Sequence, residues 1–221
     1  MLIADKNRNL YSNLSCLCIK RIFMSSSSPY LPQNLHQCII SESKTLGKNS
    51  LIYTQGEKPK EFYFLKRGLV GLYHSLENGK ETLIRLYHAN EYFGFRTIFS
   101  ETTYHCSAKV LLEADIIRIF PGNHTTFIAN NPDFSCYLMK QLSNELYDAE
   151  HRVSSTAYKR SYERIIDAIE NLTESYPDYP WTYREVAEFC GCETETAIRI
   201  SQELKKQGIL DKNTRHLRIC S

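Results

Sequence analysis

The pattern of the chain changes at Asn131-Pro132-Asp133, and this change limits the folds that its 221 residues can adopt. Before it, from about residue 46 to residue 120, short apolar segments recur between turn-forming pairs. One of these pairs is Asn78-Gly79, the strongest short hairpin signal because both positions tolerate positive φ. After the change, apolar residues follow the helical period. The sequence therefore predicts an α+β chain in which a sandwich or a barrel-like roll of strands precedes a set of helices.

Six segments before the change are predicted as separate short strands. They are residues 51–53, 62–65, 69–73, 82–87, 109–112 and 116–119. The predicted turns between them include Gly56-Glu57, residues 66–68, Asn78-Gly79 and Ala89-Asn90. Many short strands with evenly spaced turns are typical of a sandwich or a barrel-like roll.

A single apolar stripe marks the first helical segment. It consists of Leu138, Leu142, Leu146, Ala149, Val153 and Thr156, at spacings of 4, 4, 3, 4 and 3. This period predicts a helix of roughly 25 residues. The stripe could pack on the β domain or form the seam of a two-stranded dimer. The polar opposite face (Lys140, Asn144, Glu150 and Arg152) favours the seam at least equally, so Leu138, Leu142, Leu146, Ala149 and Val153 are predicted dimer contacts.

Composition excludes several classes of protein. Lys plus Arg is 27 and Asp plus Glu is 25, so any nucleic-acid surface must be a local patch. No apolar run approaches the roughly 20 residues that span a bilayer, which excludes an integral helical membrane protein. The 8 cysteines include no C-x-x-C pair and no histidine at ligand spacing, so reduced thiols without a bound metal are expected. Because no secretory signal is recognisable, we expect a cytoplasmic protein.

The first 28 residues differ from the rest. A serine run from Ser25 to Ser28 cannot build a core, so residues 1–28 are predicted to be a flexible leader. Met24 stands directly before this run. Our hypothesis is that translation starts at Met24 rather than at Met1, which mass spectrometry of the natively expressed protein would test.

Two short helices are predicted near the C-terminus. Thr182 and Glu185 form a capping box, in which each side chain bonds the other residue's backbone N–H. Gly191 is predicted to end the first helix, and a second helix follows at about residues 193–207. Its inner stripe comprises Ala197, Ile200 and Leu204. Two helices joined by a glycine-containing turn indicate a helix-turn-helix, and segments 209–210 and 217–219 are predicted to add a β wing.

Residues 182–210 resemble the DNA-binding module of the cyclic-AMP receptor protein/FNR family of regulators. Upstream, Gly56-Glu57, residues 62–65, residues 68–70 and Phe93-Gly94 resemble the β-roll sensor domain of that family. The resemblance covers about residues 40–221. It implies four parts: the leader 1–28, a β-roll sensor 29–130, a dimerisation helix 131–158 and a winged helix-turn-helix 159–221.

The resemblance also implies the residues that contact DNA. The family reads bases with a glutamate followed four residues later by an arginine, here Glu195 and Arg199. Both lie on one helix face, where a carboxylate accepts from cytosine N4 and a guanidinium forks onto guanine. The alternative is a plain surface ion pair. With these two, Thr194 and Ile198 are the predicted base contacts. The predicted phosphate contacts are Thr182, Gln202, Lys205, Lys206, Lys212 and Arg215.

The predicted effector pocket departs from the cyclic-nucleotide pattern. Its residues are Gly94, Phe95, Arg96, Thr97, His105, Cys106 and Ser107. Cyclic-nucleotide binders of the family carry Gly-Glu where this chain has Gly94-Phe95, and they carry a phosphate-binding arginine where this chain has residues 105–108. Arg96 could substitute, but its position beside the lost glutamate favours another direction. Cyclic AMP is therefore disfavoured, because a buried phosphate would lose its strongest bonds.

Other effectors stay open at this point. An iron–sulfur cluster needs four thiolates, and Cys16, Cys18 and Cys38 do not reproduce the family spacing. Haem is open through His88, His105 or Cys106, and a member that needs no ligand is also open. Cys190 and Cys192 flank Gly191 and could respond to oxidation, although inert thiols are the favoured interpretation. The effector is unknown.

The sequence thus predicts a homodimeric, cytoplasmic transcriptional regulator of the Crp/Fnr type. Its expected partners are double-stranded DNA with a pseudo-palindromic site, a second copy of itself and, by the resemblance, RNA polymerase. The alternative is a cyclic-nucleotide-binding signalling module whose C-terminal unit binds protein. An enzyme is not expected, since the chain has no Walker loop, dinucleotide glycine loop, nucleophile elbow or His-Glu-x-x-His motif.

Overall fold

The computed structural model describes residues 28–100, 102–211 and 217, and within them seven strands form one antiparallel sheet. The strands are β1 (Ile39–Ile40), β2 (Lys44–Leu46), β3 (Leu51–Tyr53), β4 (Phe62–Ser75), β5 (Glu81–His88), β6 (Glu91–Phe93) and β7 (Ser107–Phe120). The long strands β4 and β7 pair with each other, β7 also holds β1 to β3, and β4 also holds β5 and β6. Residues 1–27 of the predicted leader, including the proposed start at Met24, lie outside the described residues. Ser28, predicted as the last residue of the flexible leader, is instead buried, and its backbone N–H donates to Asn90 O at 2.8 Å.

Two predicted strand breaks are wrong. The segments 62–65 and 69–73 belong to the single strand β4, and 109–112 and 116–119 belong to the single strand β7. Where a turn was predicted at residues 66–68, β4 shifts register against β7 instead. Gly68 has φ +104°, and a Cβ there would lie 2.4 Å from the carbonyl oxygen of Glu113. The glycine therefore permits a close approach of two backbones within a continuous strand.

The hairpin predicted at Asn78-Gly79 is confirmed. It joins β4 to β5, and its turn is closed by a hydrogen bond of 2.8 Å from Leu76 N to Lys80 O. Gly79 has φ +79°, a conformation that costs glycine nothing. The hairpin presents Lys80 towards the C-terminal unit, where it pairs with Glu193.

Five α-helices follow the sheet in the described part of the chain. They are α1 (His124–Asn130), α2 (Pro132–Tyr158), α3 (Ser161–Ser175), α4 (Tyr183–Cys190) and α5 (Thr194–Lys206). The predicted long helix is α2, with 27 residues. Its first turns are anchored by Asn131, whose amide side chain accepts from His36 N at 2.8 Å and donates to Phe127 O at 2.8 Å.

The apolar stripe of α2 serves two different environments. Leu138 is fully buried, in a cluster with Phe62, Phe127 and Phe134. It therefore packs on the β-roll, and its prediction as a dimer contact is wrong, because the first turns of α2 lie across the sheet. Further along, Leu146 is 59% exposed and Val153 is 70% exposed. Only the later part of the stripe faces outwards.

The C-terminal helices share a hydrophobic core with the β-roll. Trp181 is buried at its centre, and the indole N–H donates to Leu172 O at 2.9 Å. Leu83 and Leu86 of β5 and Leu111 of β7 belong to the same cluster. Arg152, predicted on the polar face of α2, is instead half-buried at this junction. The position of α4 and α5 is therefore set against the sheet.

Only part of the predicted wing lies within the described residues. Leu210 forms a single β-bridge and is buried in the C-terminal core together with Leu217. The rest of the predicted wing, including Lys212 and Arg215, lies outside the described residues.

Candidate DNA-binding surface and effector pocket

Helix α4 begins at a capping box. Glu185 N donates to the Thr182 hydroxyl at 3.2 Å, and Thr182 N donates to the Glu185 carboxylate at 2.9 Å. The Thr182 hydroxyl also donates to that carboxylate, at 2.8 Å. These bonds satisfy backbone donors at the start of the helix. They also occupy the hydroxyl that was predicted to contact a phosphate.

The turn between α4 and α5 depends on Gly191. Its φ of +65° is left-handed, and Cys192 N donates to Ala187 O at 2.9 Å. This closure is the usual glycine end of a helix. It directs α5 so that Ala197, Ile200 and Leu204 are buried against the core. The opposite face of α5 is left towards solvent.

The predicted base-reading residues lie on this outward face. Glu195 and Arg199 are exposed, and Thr194 and Ile198 are half-buried beside them. Within the part of the chain that the structure describes, no hydrogen bond or ion pair engages the side chain of Glu195 or Arg199. The surface ion pair between them is therefore not formed, and both charged groups stay available to a partner outside the chain.

The predicted phosphate contacts surround this face. Gln202 and Lys206 are exposed and Lys205 is half-buried, all on α5. The N-cap of α5, Glu193, forms an ion pair with Lys80 of the β4–β5 hairpin. This contact joins the start of α5 to the sheet.

The predicted effector pocket exists, but it is nearly filled. Its lining includes five of the predicted residues, one residue each from β3, β4 and β5, and Tyr104 from the loop before β7. The full lining is Tyr53, Leu72, Tyr87, Gly94, Phe95, Arg96, Thr97, Tyr104 and His105. The cavity volume is about 10 Å³, room for about one water molecule. Cys106 and Ser107 do not line it. Cys106 is buried within the roll, and the Ser107 hydroxyl accepts from Gln55 N at 3.0 Å.

Aromatic rings fill the space. The rings of Tyr53 and Tyr104 stack at 3.9 Å between centroids, and those of Tyr63 and Phe93 lie at 5.1 Å. The Tyr104 hydroxyl donates to Glu61 O at 2.7 Å, and burial raises the pKa of Tyr104 to about 12. The wall is therefore both packed and hydrogen-bonded.

Arg96 points into the pocket, contrary to the direction favoured by the sequence, and it binds a glutamate of α2. Its Nη2 and Nε donate to the Glu145 carboxylate at 3.0 and 3.2 Å. The Tyr87 hydroxyl donates to the other carboxylate oxygen at 2.8 Å. Arg85 lies 3.8 Å from that same oxygen and 3.5 Å from the Asp148 carboxylate. A charge cluster built by β5, Arg96 and α2 thus adjoins the pocket.

Sequence reasoning missed Glu145 as a member of this site. Seven residues separate it from Leu138, so it lies on the face of α2 that packs against the roll. The signal that could have indicated it is the arginine in the pocket loop, since a guanidinium beside an apolar pocket favours an anionic partner.

His105 completes the ring of polar contacts. Its Nε2 accepts from Arg96 Nη1 at 3.0 Å, which requires a neutral imidazole. Burial, followed by the charge of Arg96, lowers the pKa of His105 to about 4. The histidine therefore acts as a neutral acceptor.

Five cysteines lie in the part of the chain that the structure describes. Cys38, Cys106, Cys136, Cys190 and Cys192 are free thiols, and no group of three ligand-type side chains is assembled in residues 28–100 and 102–211. Burial raises the pKa of Cys190 to about 12, while Arg164 Nη2 donates to Cys192 Sγ at 3.3 Å. None of the helices described here has the length and apolar character needed to cross a membrane.

Comparison with known proteins agrees with both halves of this architecture. Residues 43–131 match the family described as the cyclic nucleotide-binding domain. The chain is 28% identical over 194 residues to the cAMP-activated global transcriptional regulator CRP of Pasteurella multocida, covering 84% of this chain and 91% of that protein. It is 91% identical over 117 residues to an uncharacterized protein of Haemophilus influenzae, covering 53% of this chain and 91% of that one.

A solved structure extends the comparison to the whole fold. A CRP/FNR-family transcriptional regulator of Thermus thermophilus superimposes with a TM-score of 0.70 at 21% identity, covering 81% of this chain and 94% of that chain. The match therefore extends well beyond the residues of the cyclic nucleotide-binding domain. This chain belongs to the Crp/Fnr family of transcriptional regulators.

Proposed function

We propose that this regulator is a cytoplasmic homodimer that reads a pseudo-palindromic DNA site through α5 and does not depend on cyclic AMP. It acts by binding rather than by catalysis. The observation that carries the proposal is the outward face of α5, where Glu195 and Arg199 are exposed and unengaged by the described residues. Glutamate and arginine at this spacing match a cytosine donor and the two acceptors of guanine.

The later part of α2 supports the dimer. Leu146 and Val153 are seven residues apart and exposed, and Met139, seven residues before Leu146, is 52% exposed. Leu142, Ala149 and Thr156 alternate with them at spacings of three and four. This is the a and d pattern of a two-stranded coiled coil, so the expected occupant is α2 of a second copy. Two-fold symmetry would place two copies of α5 about one DNA turn apart.

The pocket argues against cyclic AMP. Its volume of about 10 Å³ is far below the roughly 300 Å³ at which ligand sites begin. Its one guanidinium, from Arg96, is already bound to Glu145. A cyclic nucleotide would have to displace both an aromatic stack and an ion pair.

The experiment is selection of bound duplexes from a random pool by the ligand-free protein, with Arg199→Ala in parallel. We expect an inverted repeat that Arg199→Ala binds about 5- to 150-fold more weakly, the loss typical of one bidentate base contact. Lys66→Ala is the matched control, because it removes an exposed positive charge from the sheet rather than from α5.

Binding at two salt concentrations completes the test, because phosphate contacts make affinity fall as salt rises. No enriched sequence with or without cyclic AMP would contradict the proposal and favour the alternative of a cyclic-nucleotide-binding module whose C-terminal unit binds protein. The interaction with RNA polymerase implied by the family stays a prediction.

A further inference from the structure

The carboxylate of Glu145 binds Arg96, the cationic side chain of the pocket lining, in the way that an anionic ligand would. The residue is 4% exposed although it comes from α2, outside the sheet. Both of its carboxylate oxygens are engaged, one by Arg96 and the other by Tyr87. Burial and the adjacent Glu145 raise the pKa of Tyr87, so its hydroxyl stays protonated and donates. These are the contacts with which a protein site holds a carboxylate or phosphate.

The cationic group of the pocket lining is already engaged within the chain. Arg96 is the one arginine or lysine among the residues that line the pocket, and besides its two bonds to Glu145 its Nη1 donates to His105 Nε2. Arg85 is divided between Glu145 and Asp148, and it also donates to Glu145 O at 3.0 Å. The positive charge of the site is thus neutralised from within the chain.

The same helix connects Glu145 to the DNA-binding unit. Seven residues along α2, Arg152 donates to Leu83 O at 3.1 Å, to Phe189 O at 2.9 Å and to Ile84 O. Phe189 lies in α4, one residue before its end. Strand β5 contains Tyr87, which binds Glu145, and also Leu83 and Ile84, whose carbonyls Arg152 binds. These two attachments lie about two helical turns apart on α2, and together they set how α2 lies along β5. The placement of α4, and with it α5, follows from this register.

We propose that Glu145 is a built-in anionic ligand, which holds α2 in the position from which α5 binds DNA and makes a small-molecule effector unnecessary. The inference rests on the proposed function and adds its regulation. It explains why a sensor-type roll has a loop arginine, no phosphate-binding arginine at residues 105–108 and almost no free volume.

The test removes the carboxylate of Glu145 and supplies a free carboxylate in solution. Glu145→Ala removes a CH₂ and a carboxylate, which have the same heavy atoms as acetate, so acetate is the probe. In chloride buffer we expect Glu145→Ala to bind the selected operator about 5- to 150-fold more weakly than the wild type, as for a typical coupling between two sites. Added acetate should restore the affinity, and acetamide, which has the same shape without the charge, should not.

Controls separate this role from a purely structural ion pair. Glu150→Ala, an exposed glutamate on the same helix, should bind like the wild type with or without acetate. Glu145→Ala should also melt roughly 6–20 °C lower, because it removes the buried partner of Arg96 and one of the two anions beside the largely buried Arg85. DNA binding is therefore measured well below the melting temperature of the variant. If acetate restores melting while DNA affinity is unchanged throughout, Glu145 is structural only and the inference is overturned.

A second variant covers the case in which Glu145→Ala does not fold. Glu145→Gln keeps the size of the side chain without its charge, so its affinity for the operator should fall and acetate should not restore it. Wild-type affinity in Glu145→Gln would overturn the inference. So would a wild type that binds its operator only after cyclic AMP is added. A wild type that binds no operator in any condition shows instead that the proposed function itself has failed.

Discussion

The outward face of α5 and the pocket of the roll carry the same kinds of side chain and use them in opposite ways. On α5, Glu195 and Arg199 lie four residues apart and remain unpaired within the described chain. In the pocket, Glu145 and Arg96 come from distant segments and bind each other at 3.0 Å. The charges on α5 are therefore available to a partner, whereas those of the pocket are paired with each other.

This difference shows how a surface that binds an external partner can be distinguished from one whose polar groups bind each other. An exposed charge is solvated by water, so leaving it unpaired costs little until a partner arrives. A buried charge without a counterion costs several kcal/mol, so it must be paired when the chain folds. At these two sites the unpaired charges are the exposed ones, and the pair already formed on the buried carboxylate of Glu145 argues against an external anion there.

The largest expected effect breaks the closed state of the pocket. Tyr53→Ala removes a ring that stacks on Tyr104 and lies 5.5 Å from Tyr63. We expect the free energy of unfolding to fall by about 3–5 kcal/mol, as for other large aromatic truncations. Urea unfolding measures it. Tyr158→Ala, at a residue 90% exposed, should stay within about 0.5 kcal/mol of the wild type. Equal losses in both variants would mean that the rings do not close the pocket.

The second prediction concerns the other outward surface, the late stripe of α2. A variant with both Leu146→Glu and Val153→Glu places like charges across the proposed seam, because each substitution occurs once in each copy. Burying them costs more than 1.4 kcal/mol, so the dissociation constant of the dimer should rise by at least about tenfold. Sedimentation equilibrium measures it. Asn144→Glu adds a charge to α2 away from the stripe and should leave the dimer unchanged. An unaltered dimer in the double variant would show that this surface is not the interface.

The smallest expected effect is a pH dependence inside the pocket. The pKa of His105 is lowered to about 4, so between about pH 4 and its ordinary value of about 6.5 the unfolded chain binds more protons than the folded one. The contribution of His105 is therefore complete above pH 6.5 and is lost as the pH falls towards 4. The ring keeps part of its surface in solvent, which reduces the effect.

Melting temperature measured from pH 7 to pH 4.5 tests this, with His105→Gln as the comparison. The variant should lose less stability over the range than the wild type. A direct titration of the His105 ring by NMR gives the sign independently. A ring that titrates above pH 6.5 would mean that His105 does not accept from Arg96.

Local sequence patterns predicted the helix-turn-helix better than the pocket of the roll. The capping box at Thr182 and Glu185 and the left-handed Gly191 depend on neighbours a few residues away, so their motifs are complete in the sequence. The pocket depends on contacts such as Arg96 with Glu145, 49 residues apart, and Tyr87 with Glu145, 58 residues apart. No local period encodes such pairs.

The surroundings of the long helix α2 could not be predicted from its sequence period. Its period placed the stripe correctly on one side of α2, but an apolar period does not indicate which surface packs against the stripe. Leu138 turned out to be core and Val153 surface, because the helix leaves the roll as it continues. Likewise Gly68 reads as a turn in sequence, and only its distance to Glu113 on β7 shows a close approach within one strand.

The sequence by itself determined the order of the elements, the hairpin at Asn78-Gly79 and the two helices α4 and α5. It also determined the two charges on the outward face of α5. Capping, turn chemistry and periodicity act over a few residues, so these features are encoded locally. The tertiary structure alone decided that the pocket is closed, that Glu145 and Arg152 belong to the interior and that Leu138 does not reach a partner. Those outcomes depend on which surfaces meet when α2 lies along β5. Burial then forces the polar groups of both to pair with each other.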